Sequence, residues 1–148
     1  MVTYEQFIKE GVYDPNIFKA VFMAGGPGSG KSYIAGKTTA GLGLKVINSD
    51  SAFERYLKQE GLSLKMPDSE TAERDVERDR AKKVTASKKY LAVRGRLGII
   101  IDGTGHKYDK IVGPAAMLEQ LGYETTMVFV NTSLEVALHR NEQRARSV

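Results

Sequence analysis

Gly25-Gly26-Pro27-Gly28-Ser29-Gly30-Lys31-Ser32 fills every fixed position of G-x-x-x-x-G-K-[ST], the phosphate-binding loop. Ala20-Val21-Phe22-Met23-Ala24 before it reads as a short buried strand, and Ser32 to Ala40 after it reads as a helix. Glycines let such a backbone curl with its N–H groups turned toward phosphate oxygens. The helix N-terminus adds partial positive charge at the same point. In that cradle Lys31 is expected to reach the β- and γ-phosphates and the Ser32 hydroxyl to sit on Mg²⁺. Gly25, Gly26, Pro27, Gly28, Ser29, Gly30 and Tyr33 are expected to complete the nucleotide contacts. A glycine-rich turn that binds nothing is the alternative, and the agreement of motif with context argues against it.

Outward from the loop, strand and helix signals alternate. Thr3 to Glu10 reads as a short helix in an N-terminal extension over residues 1–16, with Thr3 and Gln6 spaced as a capping box. Leu44 to Asn48 is a second strand, and Ser49 or Asp50 is placed to cap a helix that runs to about Glu60. Asp68 to Arg94 has helical spacing, with Ala72, Val76, Val84 and Leu91 on the face predicted to pack. Arg80 lies on that stripe, either as a snorkelling edge residue, the favoured reading, or as a charge aimed at a cleft. The apolar run ending in Ile99-Ile100-Ile101-Asp102 suits a central parallel strand covered on both faces. Ile111, Ala115, Leu118 and Leu121 follow at helical spacing, with Pro114 expected to kink or restart the helix. Thr125 to Val130 is a fourth strand. Thr132 and Glu135 then form a capping box that opens a last helix toward Arg146.

This order predicts a three-layer α/β domain, an open parallel sheet with helices on both faces, spanning residues 1–148 as one unit. Ligands in such sheets sit beyond the carboxyl ends of the strands. The phosphate loop, Asp50 and Asp102 all fall at such ends.

Bulk properties narrow the field. A length of 148 residues suits one domain with its own core, and 41% hydrophobic with 27% charged residues is an ordinary soluble composition. The absence of cysteine excludes a disulfide framework and a thiolate metal site. No apolar run reaches the length of a membrane span and the first residues lack a signal-peptide pattern, so no membrane partner and a cytoplasmic location are expected. The net charge of +4 is compatible with a nucleotide or a nucleic acid end as partner, without requiring the latter. Mixed charges from Asp68 to Arg96 read as a solvated helix face.

Phosphoryl transfer needs a phosphate cradle, a metal, an oriented nucleophile and positive charge on the transferring group. Asp102 ends an Ile-rich strand and is placed to hold Mg²⁺, or else to cap the Gly103-Thr104-Gly105 turn. Asp50 is the candidate base for a substrate hydroxyl, or a plain helix cap, or both; Asn48 is placed to orient it or the substrate. Arg140 and Arg144 lie four apart on the last helix, with Arg146 beyond them. Their forks suit phosphate oxygens, and a basic helix end that complements the dipole is the alternative. The two histidines, His106 and His139, belong to no metal-spaced cluster.

The chain resembles the small P-loop kinases of the polynucleotide 5′-kinase and zeta-toxin type over roughly Val21 to Val148. The resemblance rests on Gly25 to Ser32, Asn48-x-Asp50, Asp102-Gly103-Thr104 and Arg140-Asn141-x-x-Arg144. It implies an ATP- and Mg²⁺-dependent transfer of the γ-phosphate to a hydroxyl, with Asp50 as general base. It also implies lid arginines among Arg140, Arg144 and Arg146, within a lid over residues 132–148. The polynucleotide kinases carry an arginine three residues after the base; here Phe53 stands there, with Arg55 two residues later. Kinases of this type continue past the lid into another strand, whereas this sequence stops at Val148, so a sheet lacking its last strand is expected. The acceptor pocket is expected from residues 53–69 and 68–80.

Other readings stay open at this point. A GTPase is suggested by the D-x-x-G match at Asp102 to Gly105, but Asn131-Thr132-Ser133-Leu134 fails the N-K-x-D pattern. An NTP-hydrolysing protein lacks the usual glutamate after Asp102, where Gly103 stands. A non-catalytic nucleotide-binding module is the third.

Overall fold

Strand β1 (Lys19–Ala24) is the axis on which the fold is assembled. The computed structural model describes residues 17–39, 43–103 and 107–143. After β1 come α1 (Lys31–Thr39), β2 (Lys45–Ile47), α2 (Ser49–Gln59), a 3₁₀ turn (Asp68–Glu70) and α3 (Thr71–Arg94). Then follow β3 (Ile99–Asp102), α4 (Asp109–Gln120), β4 (Glu124–Phe129) and α5 (Leu134–Glu142). The predicted helix at Thr3 to Glu10 lies outside the described residues.

The four strands form one sheet in the order β2-β3-β1-β4, and every pairing is parallel. Ile99 and Ile100 are consecutive, so they point to opposite faces, and both are fully buried. Their continuous apolar run is what a strand covered on both sides requires. One cluster joins Ala20, Phe22, Ile47 and Ile99 to Ala92 of α3, Leu118 of α4 and Tyr123 just before β4. The Tyr123 hydroxyl donates to the Leu97 carbonyl at 2.7 Å, which satisfies the one polar atom of that ring.

A second cluster packs α2 on α3 through Phe53, Tyr56, Leu57 and Ala81. Here the predicted stripe is corrected. Ala72, Val76, Val84 and Leu91 are exposed, and the residues that α3 buries are Glu77, Ala81 and Ala92. The helix serves two partners, α2 around Ala81 and the sheet around Ala92. Small side chains let both approach closely, and a single apolar stripe does not describe such a surface. Arg80 stays at the edge, with its guanidinium 4.0 Å from the Tyr56 ring centroid and Nη1 3.4 Å from Glu77 Oε2.

Three local expectations also change. The cap of α2 is Asn48, whose side chain accepts from the Asp50 N–H at 2.8 Å, rather than Ser49 or Asp50. The cap of α5 is Ser133, accepting from the Val136 N–H, rather than Thr132. In both cases the neighbouring polar residue has the extended backbone that a cap needs. Pro114 does not interrupt α4, which runs through it as one element. A proline removes one ladder hydrogen bond, and the flanking turns hold the helix together.

Candidate active site

The crossover pattern creates the site. The chain leaves β1 for β2 on one side of the sheet, and leaves β3 for β4 on the other, so the carboxyl ends of β1 and β3 diverge into a crevice. Register pairs Met23 of β1 with Asp102 of β3, and the Gly103 N–H donates to the Met23 carbonyl at 3.0 Å. The phosphate-binding loop therefore starts beside Asp102.

The loop has the curled backbone its glycines predict. Gly25 has φ 155°, and a Cβ there would lie 2.6 Å from the Val130 carbonyl oxygen and 2.7 Å from Ser29 Oγ. Gly28 has φ 77°, and a Cβ there would run into the carbonyl oxygen of Ala137 on α5. Only glycine satisfies both the torsion and the contact. The Gly30 carbonyl accepts the first bond of α1, from the Ile34 N–H at 3.0 Å. The N–H groups in that first turn have no intrahelical acceptor, and no acidic side chain occupies it. Ser29 Oγ is buried without a hydrogen-bond partner, and Lys31 Nζ donates to the carbonyl of Gly25 at 2.6 Å and of Gly26 at 3.3 Å.

On the β2–β3 side of the crevice, one side chain joins the other two polar groups. Asn48 caps α2 through the Asp50 N–H, and its Nδ2 donates to Asp102 Oδ2 at 2.9 Å. The second carboxylate oxygen, Asp102 Oδ1, is buried with no hydrogen-bond partner. Burial raises the Asp102 pKa above its ordinary value; Lys31 lowers it, Asp50 raises it further, and the bonds from Asn48 and Gly103 lower it.

These groups line one cleft of about 670 Å³, together with Gly26 to Tyr33, Ser51, Glu54, Arg78, Gly103 and Arg140. Arg140 Nη1 stands 3.5 Å from where a Gly30 side chain would begin, so α5 brings its guanidinium to the loop. Tyr33 is exposed at the rim. Of the residues singled out from sequence, Lys31, Ser32, Tyr33, Asp50, Asp102, Arg140 and the loop residues Gly26 to Gly30 line this cleft; Gly25 does not line it, and its carbonyl accepts from Lys31 Nζ. Arg144, Arg146 and His106 lie outside the described residues. His139 is near Gln143, with Nε2 3.1 Å from its Nε2, and does not line the cleft.

Sequence reasoning missed Ser51, and it reached Glu54 and Arg78 only as members of the segments 53–69 and 68–80 expected to supply the acceptor pocket. Ser51 and Glu54 share the first turns of α2 with Asp50, so helical spacing from Asp50 was a usable signal. Arg78 sits in a run of mixed charges read as a solvated face, and only the packing of α3 on α2 turns it into the cleft.

The site has the donors a hard divalent cation takes. Magnesium binds through one or two carboxylates, a hydroxyl, waters and substrate phosphates rather than a protein cage. An orphaned Asp102 Oδ1 in the same cleft as the Ser32 hydroxyl fits that demand. Among the described residues no cluster of three or more acidic or histidine ligands suggests a different metal centre. No described helix is long and apolar enough to cross a membrane.

A family model described as an AAA domain matches residues 21–148. No curated protein matches the sequence. Among solved structures, the chain is similar to a candidate kinase from Chloroflexus aurantiacus, at 14% identity and TM-score 0.63, covering 84% of this chain and 65% of that one. It is similar to a protein of the PezAT chromosomal toxin–antitoxin system of Streptococcus pneumoniae, at 20% identity and TM-score 0.67, covering 95% and 62%. A chain of the Pnkp1/Rnl/Hen1 RNA repair complex matches at 20% identity and TM-score 0.60, covering 86% and 38%. The chain thus spans less than two thirds of the length of each. These likenesses show the fold, an α/β P-loop kinase-like domain with a short four-stranded parallel sheet.

Proposed function

The chain belongs to the AAA domain family AAA_33, here with a P-loop kinase-like fold, and we propose on that premise that it is a phosphotransferase. It moves the γ-phosphate of ATP to a hydroxyl of a small-molecule, nucleotide or polynucleotide acceptor. The observation that carries this reading is the Asn48 bridge. One amide side chain ties the candidate base helix, at Asp50, to the candidate metal carboxylate, Asp102, within a cleft floored by the phosphate-binding loop.

In this reading residues 1–148 act as one kinase-like domain. The loop amides and Lys31 hold the triphosphate. Lys31 exchanges its bonds to the Gly25 and Gly26 carbonyls for phosphate oxygens. Ser32 and Asp102 hold Mg²⁺, which when bound neutralises charge on the phosphates. Asp50 accepts the proton of the acceptor hydroxyl as the new oxygen–phosphorus bond forms and the bond to the leaving diphosphate breaks. Arg140, carried over the loop by α5, stabilises the charge on the transferring group. Arg144 and Arg146, outside the described residues, share that role in this proposal.

Labelled ATP offered with a panel of hydroxyl acceptors tests the proposal. Transfer of label to an acceptor is the expected result. Binding of a non-hydrolysable ATP analogue without transfer to any acceptor would instead mark a non-catalytic module. Release of phosphate to water at a rate that no acceptor alters would mark a hydrolase.

A further inference from the structure

Arg78 is an exposed residue of α3 whose guanidinium lies over an aromatic ring and forms no ion pair among the described residues. It reaches the cleft from α3, alongside Asp50, Ser51 and Glu54 of α2. Its guanidinium lies 4.8 Å from the centroid of the Phe53 ring, and that ring is buried. The neighbouring arginines of the same helix are satisfied: Arg74 donates to the Pro67 carbonyl and the Thr71 hydroxyl, and Arg80 pairs with Glu77. Arg78 makes no hydrogen bond or ion pair among the described residues, although Asp50 and Glu54 line the same cleft.

A guanidinium over an aromatic ring leaves its N–H donors for a further partner, which suits a phosphate or carboxylate taken by two parallel bonds. The other cations of the cleft, Lys31 and Arg140, are at the phosphate-binding loop. Arg78 instead belongs to the α2–α3 wall, where the candidate base Asp50 begins α2.

We propose that Arg78, seated on Phe53, binds an anionic group of the acceptor, so that the acceptor is a hydroxyl compound that also carries a phosphate or carboxylate. The anchored anion sets the hydroxyl toward Asp50, and acceptors without such a group bind poorly. This rests on the kinase reading above.

The test fills the donor site first. The wild-type chain is saturated with Mg²⁺ and a non-hydrolysable ATP analogue, then titrated with inorganic phosphate while the Arg78 side-chain Nε resonance is followed. Phosphate is expected to shift that resonance. Its affinity should fall by about tenfold or more in Arg78→Met, which keeps an apolar cover over Phe53, and should be partly kept in Arg78→Lys. Equal phosphate affinity in wild type and Arg78→Met, with the analogue bound in both, overturns the proposal. Failure of the analogue to bind is a different result: it removes the kinase reading, and phosphate binding that still depends on Arg78 would leave an anion site alone. With transfer as readout, paired acceptors with and without a phosphate should differ in KM for the wild type and converge in Arg78→Met. A difference that survives the substitution counts against Arg78.

Discussion

Asn48 Nδ2 stands 2.9 Å from Asp102 Oδ2, and this bond ties together the ends of the neighbouring strands β2 and β3 on one side of the crevice. The same side chain caps α2 through the Asp50 N–H. A single amide thereby sets the start of a helix and the orientation of a buried carboxylate. Asn48→Ala is expected to remove both effects. The cap loss should cost about 1 kcal/mol of stability, seen as a lower Tm. Phosphoryl transfer should fall by more than nucleotide binding does, because Asp102 and Asp50 lose their common anchor. Transfer that stays normal while Tm drops would reduce Asn48 to a cap.

Among the described residues, Lys31 is the side chain whose ammonium bonds to the loop. Lys31→Ala should weaken binding of an ATP analogue by about ten- to a hundredfold, the worth of a charge-assisted bond to phosphate. Calorimetric titration reads this directly, and an unchanged affinity would refute the loop assignment.

Asp50 follows the cap and opens onto the cleft. Asp50→Asn should leave analogue affinity close to wild type and lower transfer by about two to four powers of ten. A rate within a few-fold of wild type would confine Asp50 to a helix-end role.

Gly28 lies against Ala137 of α5, so the loop packs closely on the helix carrying Arg140. Gly28→Ala forces a side chain into the Ala137 carbonyl at a positive φ. It should lower stability by at least about 1 kcal/mol and displace α5 from the loop. Thermal melting with and without an ATP analogue tests it: the variant should melt lower and gain less from the ligand. Equal melting curves would show that α5 does not rest on the loop.

Tyr123 titrates at the opposite end of the sheet. Burial raises its phenol above the ordinary value of 10.0, with Arg96 pulling in the other direction. A raised folded pKa means that the neutral phenol contributes stability below the unfolded pKa, and that this is lost as pH rises through the folded value. Tyr123→Phe should cost about 0.5–1.5 kcal/mol at neutral pH through the lost bond to Leu97. That deficit should shrink in melts taken above about pH 10. A deficit constant across the alkaline range would contradict the assignment.

Much of the fold was legible because its signals are local. The G-x-x-x-x-G-K-[ST] spacing, the apolar runs of β1 and β3 and the βα alternation each depend on residues within one element or turn. They were enough to place Lys31, Ser32, Asp50 and Asp102 at strand ends and hence near one another. Caps were read one residue off at Ser133 and one or two off at Asn48, since adjacent polar residues compete for that role and backbone torsion decides between them.

What the chain alone determined is the phosphate-binding loop, the order of the elements and the end of the sheet where chemistry can occur. Tertiary structure decided which face of α3 is buried, that Arg140 reaches Gly30, that Asn48 joins Asp102, and that Arg78 stands free on Phe53. Periodicity reports how one element alternates between apolar and polar. It carries no record of the rotation at which two elements pack, and that rotation selects the side chains that meet.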